Sequence, residues 1–135
     1  MPLIQWKEKH SVGIAEIDSQ HQRMFAIMNE LNDAMASGKS KDVLEGIIDR
    51  LLNYTATHFV TEERLMKEHG FVGHDSHKSV HAQLTAKVRD FQADYRQGKV
   101  AMSIDVMHFL MEWLDQHILG TDMEYRDYLV SRGVR

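Results

Sequence analysis

The chain contains no cysteine, which excludes disulfides, thiolate metal sites, iron–sulfur clusters and thiol catalysis. Its one proline is Pro2, so nothing beyond the start forbids long uninterrupted helices. No apolar run approaches the roughly 18 residues of a membrane span, and the opening MPLIQWKEKH lacks a signal peptide's apolar stretch. Basic residues are in the minority, 16 against 20 acidic, for a formal charge of -4 with histidine neutral. That sign argues against non-specific nucleic-acid binding. The expectation is a cytoplasmic monomer forming a single domain over residues 1–135, long enough to bury a core without covalent staples.

What the chain has in quantity is helical periodicity. Residues 1–17 carry no clean period and read as an arm anchored by Ile4, Trp6, Val12, Ile14 and Ile17. Asp18 is placed to cap a first helix, about 18–37, with His21, Met24, Phe25, Met28, Leu31, Asn32 and Met35 on one stripe. Ser40 can cap a second, about 41–68, carrying Val43, Ile47, Leu51, Tyr54, His58, Glu62 and Leu65 at spacings of three and four. A third, about 76–97, aligns His77, His81, Leu84, Val88, Phe91 and Tyr95. A fourth, about 101–119, aligns Val106, Leu110, Trp113, Leu114 and His117, and a short C-terminal helix follows at about 122–131. The fold class is all-α: an antiparallel up-down-up-down four-helix bundle over 18–131 with an N-terminal arm and a short C-terminal helix.

The chain has nine histidines, and their placement is informative. Side chains four apart on a helix diverge by only about 40°, so His58 with Glu62 and His77 with His81 each form a two-toothed grip on a core-facing stripe. His21 opens the inward stripe of the first helix and His117 ends that of the fourth. In an alternating bundle the start of helix one, the end of helix two, the start of helix three and the end of helix four share one end, so all four positions meet at one depth. Asp122, five residues after His117, would point away on a regular helix, but a left-handed Gly120 could fold it back inward. Buried polar groups need partners, and a metal supplies them together. The set of five imidazoles and two carboxylates therefore reads as a metal site. His108 faces away with Glu112, His10 and His69 read as solvated, and His74 reads as a cap or supporting group.

Seven ligands are too many for one ordinary ion and suit two. Imidazole with carboxylate points to iron, zinc, manganese or cobalt. If each ion seeks about six positions, and both carboxylates and one solvent oxygen bridge, a single position on one ion stays open. One vacancy suits a small diatomic ligand, and the apolar wall of Phe59, Trp113, Leu114 and Ile118 suits a nonpolar gas.

Trp6 with VGIAEIDSQH, then HFVTEE, HKSVH and WLDQHILGTD, together make a specific pattern: the chain resembles a bacterial hemerythrin, in the single-domain form, across nearly its whole length. It departs from many members at Phe71 and Val72, where they carry tyrosine followed by proline. The resemblance implies two non-haem iron ions with a bridging oxo or hydroxo group. His77, His81 and His117 would hold one, His21 and His58 the other, with Glu62 and Asp122 bridging. It implies reversible dioxygen binding for transport or storage, without catalysis, an oxygen pocket formed by Phe59, Trp113, Leu114 and Ile118, and a transient oxygen-consuming partner. A di-iron oxidase or peroxidase, an oxygen sensor, and an iron-storage or structural metal protein are the alternatives.

Overall fold

The computed structural model describes residues 4–99 and 104–135, with the side chains of 104 and 105 excluded. A short 3₁₀ turn, Glu8–His10, lies in the arm, followed by α1 Ala15–Ala36, α2 Lys41–Glu68, α3 His74–Arg96 and α4 Ile104–Gln116. A π-helical turn, His117–Thr121, leads into α5, Met123–Ser131. The first four helices form the antiparallel bundle; the expected start of the fourth at 101 falls outside the described residues.

The helix ends follow local chemistry. Ser40 accepts the Val43 N–H at 3.4 Å, as its capping role requires. Gly38, Gly70 and Gly98, at φ of 68°, 69° and 74°, let the chain leave α1, α2 and α3. At each exit the residue after the glycine donates back across the last turn, as in Lys39 to Ala34 at 3.0 Å and Phe71 to Met66 at 2.9 Å. Asp18 is not the cap of α1. That helix begins three residues earlier, and the Asp18 carboxylate accepts the Val12 N–H at 2.8 Å and the Ser11 hydroxyl at 2.5 Å. Its negative charge in the first turn binds the incoming arm.

The apolar interior divides in two. The larger cluster includes Met24, Phe25, Met28, Leu31, Ile47, Leu51, Leu110, Leu114 and Ile118. The smaller joins the arm to α2 and α5 through Val12, Ile14, Ile17, Met66, Tyr125 and Leu129. The expected stripe of α2 holds at Ile47, Leu51, His58 and Glu62, all buried, but at the helix start Val43 is exposed and Leu44 and Ile48 are buried beside the stripe. Along α1 the clusters are separated by His21, along α2 by His58 and Glu62. The polar residues thus form a layer across the bundle, closed on both sides by apolar packing.

Candidate metal centre

Each helix delivers its polar groups by simple periodicity. His58 and Glu62 lie one turn apart on α2, His77 and His81 one turn apart on α3, and His21 stands one turn after Ile17 on α1. Asp122 arrives differently. On a regular α-helix it would sit about 140° around from His117. Gly120 does not take the left-handed conformation that the sequence suggested. Instead the His117–Thr121 segment is a π turn, and the Asp122 N–H donates to the His117 carbonyl at 2.9 Å. The wider turn absorbs one extra residue and returns Asp122 to the inward face, a use of π geometry common at functional sites.

All seven side chains are buried, with His117 the most accessible at 6% and Glu62 and Asp122 at 0%. They form two groups whose candidate donor atoms lie within 4.8 Å of one another: Glu62, His77, His81, His117 and Asp122 in one, His21, His58, Glu62 and Asp122 in the other. The two carboxylates belong to both. Asp122 presents Oδ1 to His77 Nε2 at 3.1 Å and to His117 Nε2 at 3.2 Å, and Oδ2 to His21 Nε2 at 3.1 Å. Glu62 Oε1 lies 2.8 Å from His58 Nε2 and 3.6 Å from His81 Nε2.

These are approaches without proper hydrogen-bond geometry. Among the described residues, every buried side-chain nitrogen or oxygen that lacks a hydrogen-bond partner belongs to these seven, and Nε2 of all five imidazoles is included. An unpaired buried polar atom costs about 1–3 kcal/mol, so such a concentration is untenable unless something else satisfies it. Donors about 2.1 Å from a common ion and at right angles to one another stand about 3 Å apart, which is the spacing seen here. The donor set, all imidazole nitrogen and carboxylate oxygen, fits borderline-hard divalent metals.

The surroundings orient these donors. The Thr61 hydroxyl donates to the Thr57 carbonyl at 3.2 Å and accepts from the Gln20 amide at 3.2 Å, leaving the Gln20 carbonyl oxygen to accept from His58 Nδ1 at 2.6 Å. His81 Nδ1 donates to Glu63 at 3.2 Å. In both rings the proton is held on Nδ1, and Nε2 turns its lone pair inward, as a metal ligand requires. The Tyr125 hydroxyl donates to Glu62 Oε2 at 2.5 Å. Sequence reasoning missed Gln20, Glu63 and Tyr125; the first two adjoin inward residues, and Tyr125 lies three residues after Asp122, on its face of α5.

Charge is distributed unequally. Burial opposes protonation of His58, but Glu62 and then Asp122 outweigh it and raise its pKa. His117 is likewise raised against burial, chiefly by Asp122. Burial, reinforced by His77 and His117, pushes His81 down to about 2. Burial would raise Asp122, yet His117, His21 and His77 hold its carboxyl well below the usual range. Tyr125 moves well upward through burial, Glu62 and Asp122, so the phenol keeps its proton.

The residues expected to form a gas pocket separate. Trp113 and Leu114 line an apolar cavity of about 40 Å³ with Met24, Leu51, Thr55 and Leu84. Phe59 instead stacks on His81 at 3.7 Å and 5°, flooring a cleft between α2 and α3, while Ile118 is enclosed in the larger core. Trp113 stacks on His117 at 5.0 Å and 19°. His10, expected to be solvated, is 2% exposed. Its Nε2 bonds Asp115 at 2.7 Å, its Nδ1 accepts the Lys7 N–H at 3.0 Å, and its ring meets Phe25 edge-on. His69 is half-buried, and His74 begins α3 beside Asp75, its Nδ1 2.9 Å from that carboxylate, without capping the helix. His108 is exposed, away from both donor groups.

A four-helix bundle crossed by a layer of imidazoles and shared carboxylates defines a class of metal-binding protein. The hemerythrin HHE cation binding domain matches residues 12–129, and the chain belongs to that family. A bacteriohemerythrin of Stenotrophomonas maltophilia is 35% identical over 127 residues, spanning 94% of this chain and 82% of its own length. One from Methylococcus capsulatus is 30% identical over 128 residues, spanning 93% of this chain and 95% of its own. A crystal structure of wild-type hemerythrin superposes with a TM-score of 0.88 at 28% identity, covering 94% of this chain and 98% of the other. Among the described residues no helix is long and apolar enough to cross a membrane.

Proposed function

We propose that this protein binds dioxygen reversibly at a pair of non-haem iron ions, for transport or storage. His77, His81 and His117 would hold one ion, His21 and His58 the other, with Glu62 and Asp122 and a solvent-derived oxo or hydroxo group shared between them. When bound, the iron pair supplies the reversible electron transfer that protein side chains lack and an attachment point for dioxygen. The observation that carries this reading is the pair of donor groups sharing both carboxylates, with their inward-facing atoms unpartnered.

The protein's own contribution is orientation and exclusion. Gln20 and Glu63 keep protons on the outer nitrogens of His58 and His81. Trp113 stacks on His117, and a cavity needs only about 10–15 Å³ to hold one water-sized molecule, so the space of about 40 Å³ lined by Trp113 and Leu114 accommodates a diatomic gas. The walls are mostly apolar, with Thr55 and Thr85 the polar side chains among them, and offer little to hydrogen-bond an extended substrate. Carboxylate-rich oxidase sites use several inward glutamates, whereas Glu62 is the one glutamate in these donor groups.

Iron content combined with an anaerobic-to-aerobic optical titration tests the proposal. The expected result is two irons per chain and an absorption change on oxygenation that reverses when oxygen is removed. One iron per chain, or sustained oxygen consumption with a reductant in place of reversal, would reject it.

A further inference from the structure

The two oxygens of Glu62 meet different surroundings. Oε1 faces His58 and His81 and has no hydrogen bond, whereas Oε2 accepts the Tyr125 hydroxyl at 2.5 Å, within the charge-assisted range. A carboxylate oxygen has two lone pairs, so this bond occupies one of those on Oε2 and leaves the other for a metal. Tyr125 is itself fixed: it is 0% exposed, packed among Val12, Ile14, Ile17, Met66 and Leu129, with its ring 5.5 Å from that of His77. Helix α5 thus governs both shared carboxylates, contributing Asp122 at its start and grasping Glu62 one turn later.

We propose that Tyr125 is a positioning residue that, acting through Glu62, biases the iron pair toward the ferrous state that binds oxygen. The inference rests on the di-iron reading above. A donated hydrogen bond withdraws electron density from the carboxylate and weakens it as a ligand. Iron(III) gains more than iron(II) from a strongly donating anion, so weakening that anion disfavours the ferric pair. Without the phenol, Glu62 becomes a stronger donor, the diferric state gains, and the protein spends less time competent for oxygen.

Tyr125→Phe retains the ring and removes the hydroxyl alone, and an anaerobic redox titration reads the consequence. With dithionite supplying one electron to each iron(III), the variant should hold two irons per chain, while its diferric-to-diferrous equilibrium shifts at least tenfold toward ferric. For a two-electron couple that is a potential lower by about 30 mV. Tyr128→Phe is the control, because that hydroxyl donates to the His69 carbonyl away from the donor groups, and its potential should match the parent's. A Tyr125→Phe potential equal to the parent's at full iron content would overturn the inference. Loss of iron from this variant would also overturn it, by showing that the phenol retains the metal instead of tuning it. Failure of the parent itself to hold two irons would reject the functional reading before any variant is compared.

Discussion

The residues of the centre are ordinary, and their meaning comes from position. His77 and His108 are both histidines on amphipathic helices, yet one is buried against Asp122 and the other faces solvent. His77→Ala deletes a donor from the group nearer α3 and α4 and leaves Asp122 Oδ1 with one imidazole fewer. Iron retention should fall by at least half under a chelator, and oxygen binding should disappear. His108→Ala should leave both unchanged. Metal-to-protein ratios for the two variants decide the matter, and equal retention would remove His77 from the ligand set. His10 shows the limit of residue-level reading, because nothing in its neighbourhood along the chain announces Asp115, which lies in α4.

At the scale of elements, the arm and the π turn do work that helical periodicity cannot express. The arm is tied down at several points: Ile4 exchanges two hydrogen bonds with Asn29 at 2.9 and 2.8 Å, His10 pairs with Asp115, and Asp18 grips Ser11 and Val12. Asp18→Ala removes an acceptor for two donors, one of them the backbone N–H of fully buried Val12. The cost should be about 1–3 kcal/mol. It should appear as faster amide exchange at Val12 and a lower denaturant midpoint, with iron content preserved. Unchanged exchange at Val12 would show that the arm is held without Asp18, by its apolar packing and its remaining ties to Asn29 and Asp115.

For the whole molecule, the polar layer should make stability depend on pH and, if it holds metal as proposed, on metal. Removing the metal leaves buried atoms of seven residues unpaired, so the metal-free protein should melt well below the loaded form. In the metal-free state His81 stays neutral down to about 2, whereas an unfolded histidine takes a proton near 6.5. The unfolded chain therefore holds the extra proton between those values, and His81 makes stability fall as pH drops through that window, by up to about 1.4 kcal/mol per unit. His58 and His117, raised in the folded state, act in the opposite sense: their contribution is present below about 6.5 and is lost as pH rises through their folded values. His81→Gln should flatten the acid-side decline of the metal-free protein's urea midpoint. An identical decline in parent and variant would show that another group dominates.

Local sequence was enough to reveal the helices, their punctuation and the inward bearing of His21, His58, Glu62, His77, His81 and His117. The period of an α-helix is set by backbone geometry, and side chains at spacings of three and four must share a face whatever the helix packs against. The common depth of those residues followed from short connections, which force neighbouring helices to run antiparallel. Tertiary structure alone decided the contacts between residues far apart in the chain: Tyr125 on Glu62, Gln20 on His58 and Asp115 on His10. It also decided the turn after His117, where Gly120 left several backbone paths open and the π turn carries Asp122 into the polar layer. Such choices depend on which side chains meet across the bundle, and that information does not reside in any one stretch of sequence.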